Sequence, residues 1–249
     1  MPLKFSIITP SLNQGRFIRD NIESVLAQKY ELMEHIIIDG GSSDNTLKIL
    51  SEYKHLIWKS EKDLGPADAI NKGLRIATGD IVAWINSDDF YEIGIFDIIN
   101  NIFENKKFEI VIGNLTFVDE KKIIILKDKT VHYNKEYLIK ISADVVRQPS
   151  TFFSSSLLKK AGYLCDKLKF VFDYEFFIRL MSVADCYFVD KNFAYYREYA
   201  STLTRKNLRK QAFEIFRISR RYGAKYSDKI MRTIVRKIIL PSSVIVQKN

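Results

Sequence analysis

The strongest constraint on this chain is an alternation that fills its first 86 residues. Short runs rich in β-branched residues end in polar or turn residues, and each is followed by a stretch with helical periodicity. The strand-like runs are "KFSIIT" (4–9), "EHIIID" (34–39), "LIWKS" (56–60) and "IVAWIN" (81–86). Over 16–29, Phe17, Ile18, Asn21, Ile22, Val25 and Leu26 fall on one helical face. Over 44–53, Asp44 is a capping residue and Leu47, Ile49 and Leu50 are the buried positions. Over 66–77, Pro66 suits a first helical turn, and Gly79 follows as a stop. Strand and helix in strict alternation require crossover connections, which predicts a Rossmann-like α/β fold with a mostly parallel central sheet flanked by helices.

The second half is less regular. Strands are expected at 108–118, 122–127, 151–153, 186–190 and 193–197, with a helix around 173–182. The last 45 residues read as two basic amphipathic helices broken at Tyr222–Gly223, a helical extension to the domain formed by 1–204. There is no internal repeat or low-complexity linker. A hydrophobic share of 47% and a charged share of 28% are those of a chain with an ordinary core. Cys165 and Cys186 match neither a disulfide framework nor a zinc spacing, and are expected to be reduced core residues.

No run approaches the roughly 18 apolar residues of a membrane span, and the first residues do not read as a leader. The expectation is a cytoplasmic protein, at most peripheral at the inner face of the plasma membrane. The net charge of +9 is unevenly spread. From Arg205 to Asn249, thirteen Lys or Arg face two acids, Glu214 and Asp228, a net +11 that leaves −2 for residues 1–204. Three readings of this tail stand side by side: helices packed on the domain, an interfacial pair on anionic lipid, and, as the weakest, nucleic-acid binding. The lipid reading rests on an apolar stripe (Ile230, Met231, Ile234, Val235, Ile238, Ile239) bordered by Lys229, Arg232, Arg236 and Lys237.

In open α/β sheets, ligands bind beyond the carboxyl ends of the strands. That rule gathers Thr9–Ser11, Asp39–Ser43, Ser60–Asp63 and Asn86–Asp89 on one rim. The sharpest candidate is "IVAWINSDDF", in which a buried-type strand runs into Asp88 and Asp89. Adjacent carboxylates repel and desolvate poorly, so they are either solvated at a turn or waiting for a divalent cation, Mn2+ or Mg2+, carrying a diphosphate. Asp39 ends a strand before two glycines, where it could meet a nucleoside or merely cap the turn. Asp173, in "FVFDYEFFIRL", could be functional or an ordinary acid at a helix N-terminus. Neither GxGxxG nor a phosphate-loop motif is present.

Taken in order, "ITPSLNQGRFI…SVLAQ", "IIIDGGSSDNT", "EKDLGPADAINKGLRIATGDIVAWINSDD", "QPSTFF", "FDYEFFIRL" and "YYREYAST" resemble glycosyltransferase family 2 over residues 3–204. The resemblance implies a GT-A fold and an inverting, metal-dependent enzyme that uses a nucleotide-diphosphate sugar, a UDP-sugar foremost. By it, Thr9, Ser11, Asp39 and Asp68 lie around the nucleotide. Ser87–Asp88–Asp89 stands for the family's DxD element, with Asp88 on ribose or metal and Asp89 on the metal. Asp173 is the catalytic base, with Phe172 in place of the usual acid before it, and 148–153 lines the acceptor side. Tyr199 stands where many relatives have a histidine, so a third protein ligand does not carry over. The QxxRW element and the spans of processive synthases are missing, which favours adding one sugar to a saccharide or lipid-linked saccharide in cell-surface polysaccharide synthesis. A nucleotidyltransferase, or a binding protein that kept the cleft, would share the sheet and the acids. The former normally carries a basic glycine-rich loop, of which "TPSLNQGRF" offers only Gly15 and Arg16.

Overall fold

The computed structural model describes residues 1–106, 108–141, 143–199, 207–231 and 234. The first half follows the alternation: β1 (Phe5–Ser11), α1 (Ile18–Leu26), β2 (Met33–Asp39), α2 (Thr46–Ser51), β3 (Leu56–Ser60), α3 (Pro66–Ile76) and β4 (Ile81–Trp84). These strands pair in parallel in the order β3-β2-β1-β4, with Ser11 level with Asp39, and Asp39 level with Ser60. Alternate residues of β1 face opposite layers. Ile8 packs with Ile70 and Leu74 of α3, and Phe5 and Ile7 with Val25 of α1 and Ile81 and Ala83 of β4. The α3 contact is close enough to demand a glycine, because a Cβ on Gly73 would lie 2.5 Å from Ile8 Cγ2.

The second half curls this sheet into a mixed one. It comprises β5 (Phe90–Tyr91), α4 (Ile95–Lys106), β6 (Ile110–Val118), β7 (Ile124–Asp128), α5 (Lys135–Lys140), β8 (Thr151–Ser154), α6 (Ser155–Ala161), α7 (Phe172–Leu180), β9 (Cys186–Arg197) and α8 (Leu208–Arg221). The sheet continues β4-β8-β6-β9-β5, with β7 on β6. β8 is antiparallel to both its neighbours, while β6 and β9 are parallel. The two strands expected at 186–190 and 193–197 are one, β9, whose exposed Asp190 and Lys191 coincide with register shifts against β6 around Asn114. Cys165 and Cys186 are free and half-buried.

The described tail packs onto the domain. Ala212, Ile218, Ala224, Ile230, Met231 and Ile234 are buried in the cluster that holds Trp84, Phe153, Phe176 and Phe177. The remainder of the apolar stripe, Val235, Ile238 and Ile239, with Arg232, Arg236 and Lys237, lies outside the described residues. Among the described residues no helix is long and apolar enough to cross a membrane.

Two neighbours on β2 make stability depend on pH. Burial pushes His35 down to about 3, its Nε2 lying 3.0 Å from Thr9 Oγ1. Burial of Glu34 would raise its carboxyl, but Lys4, Ser6 and Thr78 outweigh it and hold it at about 2. Both folded values lie below the ordinary 6.5 and 4.5, so both contributions are present at neutral pH and are lost on acidification. Unfolding free energy measured by urea titration is expected to fall from pH 6.5 toward 3, by at most about 1.4 kcal/mol per pH unit for each proton taken up. His35→Gln should flatten the portion between 6.5 and 4.5.

Candidate functional site

The tip of β4 is a tight turn held from behind. Asp89 N–H donates to Asn86 O at 3.0 Å, and the wholly buried Asn21 of α1 donates through Nδ2 to Asn86 O (2.9 Å) and Asp89 O (3.0 Å). The Asp89 side chain is fully buried, accepting from the Arg197 backbone N–H at 2.8 Å and from Asn86 Nδ2 at 3.3 Å. Asp88 is half-buried and accepts from Tyr199 Oη at 2.8 Å. Burial raises the Asp88 carboxyl, with the Tyr199 hydrogen bond and the Arg197 charge opposing. Burial, then the charge of Asp88, pushes Asp89 well above the usual carboxylate range. Burial and Asp88 likewise push the Tyr199 phenol up.

Arg197, at the end of β9, supplies a fixed charge that opposes the rise of both carboxyls. Its guanidinium is buried, 4.3 Å from the Phe17 ring centre and 5.4 Å from that of Phe90, and Nη2 meets Asp20 Oδ2 at 2.8 Å. Burial works against ionised Asp20, but Lys122 (2.7 Å) and Arg197 hold its carboxyl below the ordinary range. Arg197 Nε and Nη1 have no hydrogen-bond partner among the described residues.

Along the rim, Asp39 is fully buried and accepts from Gly41 N–H, Ser42 N–H, Ser42 Oγ and Ser60 Oγ at 2.5–3.0 Å. It therefore organises the turn that follows it. Beside it Ser11 Oγ is buried without a hydrogen-bond partner among the described residues, an orphaned polar atom such as a ligand satisfies. Thr9 points into the body instead, its hydroxyl between Asn21 Oδ1 (3.2 Å) and His35. Asp68, in the first turn of α3, accepts from Leu64 N–H at 3.1 Å and pairs with Lys72 at 3.3 Å. Asp63 lies so close to Gly40 that a Cβ there would meet its Oδ2 at 2.4 Å, and burial raises its carboxyl, with Asp68 and Asp39 adding to the effect.

Asp173 opens α7. The helix docks on β4 through Phe176 and Phe177, whose ring centres lie 5.7 and 6.4 Å from that of Trp84. Asp173 precedes them by three and four residues and so shares their side of the helix. Its Oδ1 accepts from Tyr174 N–H at 2.7 Å, and burial pushes the carboxyl up to about 6. The tail contributes here: Glu214 of α8 accepts from the backbone N–H groups of Lys169, Phe170 and Val171, and Ser219 and Leu138 O meet Tyr174 Oη. Gln148, from the segment expected on the acceptor side, donates to Trp84 O.

Residues 6–168 match the family profile "Glycosyl transferase family 2". The chain belongs to glycosyltransferase family 2. An uncharacterized glycosyltransferase of Mycobacterium tuberculosis is 31% identical over 185 residues, covering 72% of this chain and 70% of the relative. One of Rickettsia typhi is 29% identical over 196 residues, covering 74% of this chain, and this chain spans only 60% of that relative's length. Among solved structures, residues 1–349 of S. aureus TarS in complex with UDP-GlcNAc superpose with a TM-score of 0.73 at 18% identity, over 94% of this chain and 72% of that one. A mannosyltransferase of Pyrobaculum calidifontis in complex with GDP-Man and Mn2+ gives 0.65 at 14%, over 95% and 69%. The fold is GT-A.

For a family-2 enzyme, the acidic pair suits a divalent ion by its chemistry. It offers hard oxygen donors whose shared burial leaves them short of positive charge. Among the described residues no cluster of three or more His, Cys, Asp or Glu surrounds it, so substrate oxygens or water would complete a coordination shell. No local sequence signal marks the contacts of Arg197 and Asp20; Asn21 shows only as a polar residue on the apolar face of its helix, and Asp63 only by its place in a rim segment.

Removing Arg197 leaves the acids without their protein counter-charge. Arg197→Met is expected to lower unfolding free energy by about 3 kcal/mol. Lys122→Met, exposed on the other oxygen of Asp20, should cost less than about 1 kcal/mol in the same urea titration.

Proposed function

We propose that this protein is an inverting glycosyltransferase. It would move one sugar from a nucleotide-diphosphate sugar, a UDP-sugar foremost, to a hydroxyl of a saccharide or lipid-linked saccharide in cell-surface polysaccharide synthesis. The observation that carries this reading is Asp173, a carboxyl raised by burial to about 6 on a helix that rests against the strand leading into Asp88 and Asp89. Support for the donor comes from structural neighbours in complex with UDP-GlcNAc, UDP and GDP-Man. Support for the pathway comes from a 28% identical relative, a poly-β-1,6-N-acetyl-D-glucosamine synthase of Staphylococcus epidermidis, matched over 64% of this chain and 41% of its own.

In this reading the half-buried Asp88 and its buried neighbour Asp89 would hold Mn2+ or Mg2+. A bound cation supplies positive charge against the diphosphate. Ser11 and the turn organised by Asp39 receive the nucleoside, and Asp68 flanks them. Asp173 accepts the proton of the acceptor hydroxyl as its oxygen bonds to the anomeric carbon and the nucleoside diphosphate leaves from the opposite face. A carboxylate near 6 is ionised at neutral pH yet more basic than an exposed one, which suits that task.

Asp173→Asn should reduce turnover about 10²–10⁴-fold while nucleotide binding persists. Wild-type turnover should rise with pH through about 6. Because the folded value lies above the ordinary 3.8, ionised Asp173 costs stability at neutral pH. Asp173→Asn is therefore expected to melt higher than wild type at pH 7 and to lose that advantage below pH 3.8. An Asn variant that transfers sugar at the wild-type rate would remove the base assignment.

A further inference from the structure

Among the described residues, the longest unbroken run of exposed large apolar side chains lies on β7 and the residue before it. Ile123, Ile124, Ile125 and Leu126 are 61%, 50%, 53% and 54% exposed. Successive strand residues point to opposite faces, so apolar side chains stand in solvent on both sides of the ribbon. Among the described residues β7 pairs with β6 alone, which leaves its other edge bare. Globular proteins blunt such edges, and a contiguous apolar patch rimmed by charge marks an interaction surface.

The flanks say what kind of surface. Lys121 and Lys122 precede the apolar run, and Lys127 and Lys129 follow it, all exposed; Lys122 pairs with Asp20 and Lys129 with Asp190. Self-pairing of two copies along this edge gains little from charge, because each central register sets lysine against lysine. An antiparallel register that sets Ile124 against Ile125 puts Lys122 against Lys127 but also Lys121 against Asp128 and Glu120 against Lys129. One centred on Ile125 puts Lys121 against Lys129 but also Lys122 against Asp128, and one setting Ile125 against Leu126 puts Lys122 against Lys129. The two acids, Glu120 and Asp128, are already paired with Arg16 and Arg147. Like charges directly opposite destabilise a strand pair. A protein partner would also cover one face of the ribbon and strand the other. A fluid apolar phase bordered by anions satisfies both faces of the ribbon together with Lys121 and Lys127.

We propose that the β6–β7 hairpin is the surface by which this protein lies on an anionic lipid bilayer. Ile123 to Leu126 enter the boundary between headgroups and acyl chains, and Lys121 and Lys127 meet the anionic headgroups. The hairpin is tied to the site. Lys122 sits 5.3 Å from the Phe90 ring centre and bonds Asp20, the partner of Arg197, while Glu120 in its turn pairs with Arg16 at 2.8 Å. Contact through the hairpin thus places the rim of the crevice beside the membrane, where the lipid-linked acceptor of the proposed reaction would be met; the binding itself does not rest on that reaction.

The test is co-sedimentation of the full chain with vesicles of phosphatidylcholine, alone or mixed with phosphatidylglycerol. Ile124→Asn with Leu126→Asn, and separately Lys121→Gln with Lys127→Gln, are compared with wild type; all four side chains are exposed. Wild type is expected to sediment with the mixed vesicles. The apolar pair should lower partitioning at least about tenfold, and the lysine pair about fivefold per charge on mixed vesicles only. Hydrolysis of the nucleotide sugar without vesicles should be unchanged in both, so failure here leaves the transferase reading standing. The proposal is overturned if wild type stays in the supernatant with both vesicles, or if both variants sediment as wild type does. It is equally overturned if wild type is a dimer in solution that the double Asn substitution dissociates, which would give the edge to a second copy.

Discussion

Two adjacent carboxylates at the end of one strand, one of them wholly buried, set the terms for the rest of this molecule. Burial and mutual repulsion both favour the protonated forms, so the surrounding structure must supply donors and positive charge. It does so from distant parts of the chain. Asn21 grips the turn from α1, Arg197 brings a backbone N–H and a buried guanidinium from β9, and Tyr199 caps Asp88. Asp20 then neutralises Arg197, and Lys122 balances Asp20. The chain of alternating charges runs from the strand tip to the β6–β7 hairpin, and it explains why the end of β9 must reach this corner.

The helix that carries Asp173 is placed by packing. Trp84, the last residue of β4, is the floor on which Phe176 and Phe177 seat α7, and Gln148 bonds its carbonyl. That seat turns Asp173 toward the β4 side of the helix and withdraws it in part from water. The basic tail has a part in this. Glu214 ties α8 to the three backbone amides leading into α7, and Tyr222 Oη donates to Glu175. The extension is thus a brace for the segment that carries Asp173 as well as a reservoir of positive charge.

The parallel half of the sheet was legible because β1 to β4 are β-branched runs closed by polar residues, and because Pro66 and the spaced apolar faces mark the helices between them. The rim rule followed from that alternation and gathered Ser11, Asp39, Asp63, Asp88 and Asp89 at the strand ends. Thr9 was drawn into the same group, but it lies two residues short of the end of β1, below the rim, and its hydroxyl turns inward to His35. β9 read as two strands because Asp190 and Lys191 look like a turn, whereas pairing with β6 carries the strand through them. Nothing local in "YYREY" shows that the Arg197 guanidinium is buried between Phe17 and Phe90. That fact is created by the meeting of α1, β5 and β9, and pattern along the chain does not encode it.

In the proposed reaction the acidic pair and Asp173 border one cleft that receives a nucleoside diphosphate sugar. A crystal structure of the Asp173→Asn protein with Mn2+ and the nucleotide sugar that wild type hydrolyses tests it most directly. The cation and diphosphate are expected at Asp88 and Asp89, with the substituted side chain at position 173 facing the anomeric carbon on the side away from the diphosphate. A diphosphate seated elsewhere, or position 173 separated from the sugar by protein, would contradict it.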